Sequence, residues 1–530
     1  MSENSVQIEF TDEELEGNVV DNDPQSFVNN EGAGNDIQTV SQKTDSGSET
    51  LSEGNETQDE NSGDTEGTVV TNDNVDTQED VVLAQTDADL AASYGVTEDE
   101  IRYAKSMGWS PKEKFRGDQL FEKAYSRLNE LYGGEYSTPD VIILSRFYRE
   151  KMILGESELY MRYLDFLGKV RARAEEKGEH IFVRGTAGSS FMAYLLGATD
   201  INPLPRHVYC PRCHHHQIQF DGNETPFHDC EKCSCGAEPI TDGHNIPFES
   251  NIKSVLSGYI QLSVSYAFFE EVESMIRDEM WDQAIITLRN GEHSPTWFCF
   301  QDKEKNEDGN YILNGNREIF SKLPRITLVP DKMLDKYREL ERATGFKMKD
   351  IGVSERSNAY FQFMEGNIDG VPYFNNTYMK DVWEKVKPLS YDDLLKLIGF
   401  ANSTNVWREN AEWIYDDHKM ALRDIPAYRE DLFQMISEHL YKKRIYDTGL
   451  AYEVTEKARK GYYAEIGGMD EDTMLALLNI DIDLDYIFFL EKVNYMFPKA
   501  HGVAYLREAI RMMFYKNNFN QEYNKIILGK

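Results

Sequence analysis

The feature that most restricts what this chain can fold into is a charge imbalance at one end. The first 94 residues hold 24 Asp and Glu against one basic residue, Lys43, and three aromatic side chains. Such a segment cannot bury enough apolar surface to offset its chain entropy, so residues 1–94 are expected to form a disordered acidic tail. They carry −23 of the net charge of −37, leaving −14 on the other 436 residues. The remainder is therefore acidic too, which disfavours nonspecific DNA binding through its overall field. Any nucleic-acid contact would depend on local patches.

A hydrophobic content of 40%, with 12% aromatic residues, is ample for a packed core in that remainder. No apolar run reaches membrane-spanning length and the N-terminus lacks a basic-then-apolar leader, so a cytoplasmic protein that makes no membrane contact is expected. Strand-like and helix-like patterns mix over residues 95–330. From 331 to 530 apolar residues recur at three- and four-residue spacing, the mark of helices. The fold class is α+β.

Five of the six cysteines fall between positions 210 and 235. Cys210 and Cys213 form one C-x2-C knuckle, and Cys230 and Cys233 form a second after sixteen intervening residues. Each such turn presents two thiolates to one tetrahedral ion, so a structural zinc is expected in an insert over 207–245. Cys235 and the run His214, His215, His216 leave the ligand set open. Just upstream, "VRGTAGSS" (183–190) places Arg184, Gly185, Gly188, Ser189 and Ser190 between a strand and a helix start. Glycine lets a backbone approach an anion closely, and hydroxyls at a helix N-terminus donate to phosphate oxygens. Such turns also need Gly and Ser for geometry alone.

These segments occur in a recognisable order. "FVRGTAGSSF", "INPLPRHVYCPRC" and "CGAEPITDGHNIPFES" closely resemble the palm of the PolC-type DNA polymerase III alpha subunit. "LSYDDLLKLIGFANSTNVWRENAEW" (389–413) and "YMFPKAHGVAY" (495–505) resemble its fingers. The resemblance implies a reduced, polymerase-beta-like nucleotidyltransferase palm with a zinc-ribbon insert, followed by all-helical fingers. It nominates Arg184, Gly185, Gly188, Ser189 and Ser190, with Lys499 and His501 on the fingers side, as nucleotide- or DNA-binding residues. The zinc ligands are sought among Cys210, Cys213, Cys230, Cys233 and Cys235. The piece "AKSMGWSPKEKFRGD" (104–118) resembles a segment recurring in bacteriophage proteins, which suggests a phage or prophage origin.

The family's metal site does not read through. It lies in a Pro-Asp-Ile-Asp-Leu strand leading into Ser-Gly-x-x-Gln, with a third acid in a later Leu-Asp-Ile-Leu-Gly stretch. If Ser257, Gly258 and Gln261 fix the register, Asn251 and Lys253 stand at the first two acids and Thr327 at the third. Neither an amide nor an ammonium can hold a pair of magnesium ions. Asp481, Asp483 and Asp485 in "NIDIDLDYIFFL" would share one face of a strand, but the family register makes them a turn that caps a helix. No catalytic residue is therefore nominated, and magnesium is expected only if activity survives. The expected role is that of a non-catalytic DNA- or replisome-binding protein of DNA replication. The alternatives are an active DNA-directed polymerase completed by a second chain, and a phage modulator or decoy of the host polymerase.

Overall fold

The computed structural model describes residues 5–9, a few positions between 86 and 102, and most of 118–530; residues 135–137, 156, 219–232, 252–258, 290, 292–293, 303–322, 355–356 and 417–419 lie outside it. Three helices come first, Asp118–Tyr132 (α1), Val141–Leu154 (α2) and Glu158–Lys177 (α3). The second and third start at polar caps. Asp140 and Ser157 accept hydrogen bonds from Ile142 N and Tyr160 N, and Gly178, at φ 66°, ends the third in a left-handed turn.

A six-stranded mixed sheet follows, in the order β1-β7-β8-β9-β6-β2. Its members are Ser5–Glu9 (β1), Ile181–Arg184 (β2), Tyr259–Val264 (β6), Gln283–Arg289 (β7), Thr296–Asp302 (β8) and Arg325–Pro330 (β9). Alternation sets its two faces. Ile260, Leu262, Val264, Phe298, Phe300, Ile326 and Leu328 are buried in a core shared with the first three helices, with Phe191–Leu195 (α4) and with Tyr266–Glu279 (α5). Tyr259, Gln261, Trp297, Arg325 and Thr327 fall on the opposite face by the same alternation. A separate three-stranded antiparallel sheet, in the order β4-β3-β5, is made of His207–Tyr209 (β3), His216–Ile218 (β4) and Ile240–Asp242 (β5).

The strand Ser5–Glu9 corrects the expectation that all of 1–94 lacks structure: it pairs in parallel with β7, Val6 beside Ile286 and Ile8 beside Leu288. The physical reason is local, because S-V-Q-I-E alternates polar and apolar residues while the rest of the tail does not.

Beyond β9 the described chain is helical: Lys332–Thr344 (α6), Asn358–Glu365 (α7), Thr377–Val386 (α8), Tyr391–Asn402 (α9), Glu412–Asp416 (α10), Arg429–Lys442 (α11), Gly449–Ala458 (α12), Tyr462–Ile466 (α13), Glu471–Asn479 (α14), Leu484–Lys492 (α15), Lys499–Asn518 (α16) and Asn520–Ile526 (α17). These helices enclose a second core, which Ile201 and Ile246 enter from the preceding region. Among the described residues no helix is long and apolar enough to cross a membrane.

Candidate functional site

The Gly-Ser turn and the start of α16 meet directly. Residues Gly185–Ser189 form a 3-10 turn, and Ser190 caps α4 by accepting from Ala193 N. A Cβ on Gly188 would stand 2.7 Å from the Ala500 side chain, so glycine is required by the close approach of α16. His501 stacks on Phe182 of β2 with centroids 5.9 Å apart, and on Phe497 at 5.5 Å. Arg184, at the end of β2, pairs in register with Gln261 of β6. Two segments more than 300 residues apart thus form one junction, as the resemblance implies.

Most of the nominated donors there already have protein partners. Glu150 of α2, fully buried, accepts from the Ser190 hydroxyl (2.8 Å), from Phe191 N (2.9 Å) and from Met192 N (3.0 Å). Arg146 Nε donates to the same carboxylate at 2.6 Å, and its NH2 donates to the Ser189 carbonyl at 2.8 Å. The Ser190 hydroxyl and two amides at the start of α4 thus face an internal carboxylate. Lys499 is held as firmly: its Nζ lies 3.1 Å from Asp431 Oδ1, and its backbone N–H donates to Glu430 at 2.8 Å. Lys396 Nζ closes the cluster at 2.8 Å from Asp431 Oδ2. Burial alone would raise Asp431 and lower Lys499, but Lys396 and then Lys499 hold the carboxyl far below its ordinary range, and Asp431 holds the Lys499 ammonium above its own.

The sheet face beside the junction is equally specific. Gln261 of β6 stands in register with Thr327 of β9, and Thr327 with Trp297 of β8. The Tyr259 hydroxyl donates to Gln261 Oε1 at 3.1 Å. The Arg325 guanidinium lies 4.7 Å from the Tyr259 ring centroid and 4.5 Å from that of Trp297. Such placement is favourable for a cation. Asn251 lies elsewhere, at the end of the 3-10 turn Glu249–Asn251; Lys253, Ser257 and Gly258 fall outside the described residues. The strand itself is Tyr259–Val264, whose alternate positions on that face include Tyr259 and Gln261.

Asp481, Asp483 and Asp485 are not on a strand. Asp483 caps α15 by accepting from Asp485 N at 2.9 Å, and Asp481, at φ 63°, pairs with Lys443 at 2.7 Å.

The cysteine cluster has the ligand geometry of a four-thiolate centre. The sulfurs of Cys210, Cys213, Cys233 and Cys235 all lie within 4.8 Å of one another, with Cys210–Cys235 at 3.4 Å and Cys213–Cys233 at 3.3 Å. Tetrahedral Zn–S bonds of about 2.3 Å require sulfurs about 3.8 Å apart, so the four fit one ion. Backbone bonds form each knuckle: Cys210 N to His215 O (2.8 Å) and Cys233 N to Ala237 O (3.1 Å). Among the described residues Cys235 joins Cys233 on the second side of the cluster; Cys230 lies outside them. Burial opposes ionisation of Cys210, but neighbouring backbone N–H groups bring its thiol down to about 6. Cys213 has a backbone donor too, but the adjacent sulfurs push it up to about 12. Four adjacent thiolates need a cation to coexist. His216 is not free for that ion, because its Nε2 accepts from Asp140 N at 3.1 Å.

A buried network that the motifs alone did not reveal anchors this insert. Asn202 Nδ2 donates to the Tyr132 hydroxyl (2.8 Å) and to Asp242 (3.0 Å), and Tyr132 meets His207 Nε2 at 2.9 Å. Gly243, at φ 96°, has the Pro205 carbonyl 2.4 Å from where a Cβ would stand. The Asn-Pro-Leu-Pro and Asp-Gly-His segments thus support each other.

No protein-family model matches the chain. Curated proteins do. The DNA polymerase III PolC-type of Streptococcus thermophilus is 23% identical over a 507-residue alignment that covers 79% of this chain and 33% of that protein. The PolC-type proteins of Mycoplasma genitalium and Halalkalibacterium halodurans are 24% and 22% identical, with 79% of this chain covered in each case. The chain spans about a third of the length of these relatives. Relatives of one kind, matched across both the mixed and the helical regions, make this chain a relative of the PolC-type DNA polymerase III proteins.

Proposed function

We propose that the chain is a PolC-like protein of DNA replication in which a nucleotidyltransferase palm serves as a binding scaffold and not as a catalyst. The carrying observation is the sheet face built from Tyr259, Gln261 and Thr327. On the strand Tyr259–Val264, Tyr259-Ile260-Gln261-Leu262 answers to Asp-Ile-Asp-Leu, with Ile and Leu matching. Ile326-Thr327-Leu328 answers to Leu-Asp-Ile. The three acid positions then fall on neighbouring strands and one face, Gln261 in register with Thr327. That is the geometry two shared metal ions need, but the side chains are a phenol, an amide and a hydroxyl. Two dications about 3.5–4 Å apart require anionic ligands to offset their repulsion. Arg325, stacked between Tyr259 and Trp297, puts a fixed cation on the same face.

The cysteine cluster is read as a structural zinc centre: a bound zinc would cross-link the two knuckles, and four protein ligands leave no position for substrate. The helical region is read as fingers docked on the palm turn, with DNA or replisome proteins as partners. The reading is tested by fluorescence anisotropy of a labelled primed template titrated with the full chain in the absence of divalent metal. Saturable, salt-sensitive binding is expected. Absence of binding at low salt contradicts the DNA-binding role.

A further inference from the structure

A cavity of about 230 Å³ lies where α3, β2, α6 and α16 come together, beside the junction but distinct from the residues nominated there. Three guanidinium groups line it, Arg171 from α3 and Arg507 and Arg511 from α16, four residues apart on one helix face. One carboxylate answers them. Asp200 Oδ1 is 3.4 Å from Arg171 NH1, its Oδ2 is 3.5 Å from Arg507 NH2, and its backbone carbonyl accepts from Arg507 NH1 at 2.7 Å. Arg511 has no hydrogen bond or ion pair among the described residues, and the Nε atoms of Arg507 and Arg511 are shielded from solvent without an acceptor.

The other acids of the cavity are already engaged. Glu179 pairs with Arg338, Glu175 with Lys349, and Glu341 with His180 and the Met348 amide. Glu508 is engaged by the Tyr337 and Tyr373 hydroxyls, which donate to it, and burial pushes its carboxyl up to about 7. Burial and the charge of Arg507 bring Arg511 down to about 10. Three guanidinium groups paired with one carboxylate, Asp200, with buried Nε donors left over, are costly unless something negative completes the cluster.

We infer that this cavity binds a phosphate-type oxyanion, either free phosphate or pyrophosphate or the terminal phosphates of a nucleotide. Guanidinium forks match phosphate oxygens two at a time; Arg511 presents one such fork, and Arg507, held by Asp200 one turn away on the same helix, adds its charge. The volume is below that of an ordinary small-molecule pocket, which suits a phosphate or diphosphate group and not a base. The inference rests on the cavity alone and stands whether or not the chain binds DNA.

Isothermal titration of the full chain with sodium pyrophosphate, at fixed ionic strength, tests it. Saturable binding is expected, weakened about tenfold or more in Arg511→Met. Arg511→Lys, which keeps the charge but not the fork, should recover part of the loss. Arg171→Met, on the outer helix, gives a second variant should Arg511→Met fail to fold, and is expected to weaken binding likewise. A parallel titration with a deoxynucleoside triphosphate separates the sources: tighter binding assigns the site to nucleotide termini, and equal or weaker binding to the free anion. No saturable binding of either probe, or binding unchanged in all three variants, overturns the inference.

Discussion

Glu150 shows how far a single side chain can decide the character of a turn. It accepts from one hydroxyl, two backbone amides and a guanidinium in a fully buried position, so the Gly-Ser turn is fixed by an internal anion. Glu150→Ala leaves Arg146 unpaired and those amides unsatisfied, and is expected to cost about 3–5 kcal/mol in urea unfolding. Gly188→Ala, which forces a Cβ against Ala500, should cost about 1–3 kcal/mol by the same measurement. Glu508 works in the opposite direction. Its folded pKa of about 7 lies above the ordinary 4.5, so the folded state holds a proton that the unfolded chain releases. Its contribution is fully present below about pH 4.5 and is lost as pH rises through 7. The full effect is about 3 kcal/mol. His207 and His244, both lowered by burial, act in the opposite sense over part of this window. The comparison with Glu508→Gln isolates the effect: melting measured at pH 5 and at pH 8 should show a larger loss in the natural chain than in the variant.

At the scale of elements, local spacing carried the sequence reading further than long-range pairing did. The Cys210–Cys213 knuckle was legible because two cysteines on one short turn can hardly serve anything but a metal or a disulfide. The choice of Cys235 was not, since C-x2-C and C-x-C spacings both fit a turn and only the fold brings the four sulfurs together. The capping role of Asp483 was legible because a cap acts on its own helix. The pairing of Gln261 with Thr327 was not legible, because it joins strands whose partners lie 66 positions apart in sequence. Glu150 gave no signal at all, since nothing in its own stretch announces a partner forty residues downstream. The element-scale prediction follows from the sulfur geometry: protein purified without chelator should hold about one zinc per chain by elemental analysis. Cys213→Ser with Cys233→Ser should abolish it, and zinc retained in that pair would remove the four-thiolate assignment.

At the scale of the molecule, two cores meet at one junction. Phe182 reaches from the sheet edge into the helical core, where it packs on His501 and Tyr505, and the Asp431 cluster holds the start of α16 in place. The mixed-then-helical order was readable from periodicity. The short strand at Ser5–Glu9 was not, because a five-residue alternation is lost in the acidity around it. What the whole preserves is a scaffold related to the PolC-type polymerases, and the proposal is that its Tyr259–Gln261–Thr327 face does not hold catalytic metal. That claim is tested most directly by primer extension. The full chain, a labelled primed template and all four deoxynucleoside triphosphates are incubated with magnesium or with manganese. No added nucleotide is predicted with either ion, because Tyr259, Gln261 and Thr327 cannot hold the two dications that activate the primer hydroxyl and neutralise the triphosphate. Extension of the primer by the chain alone would contradict the account.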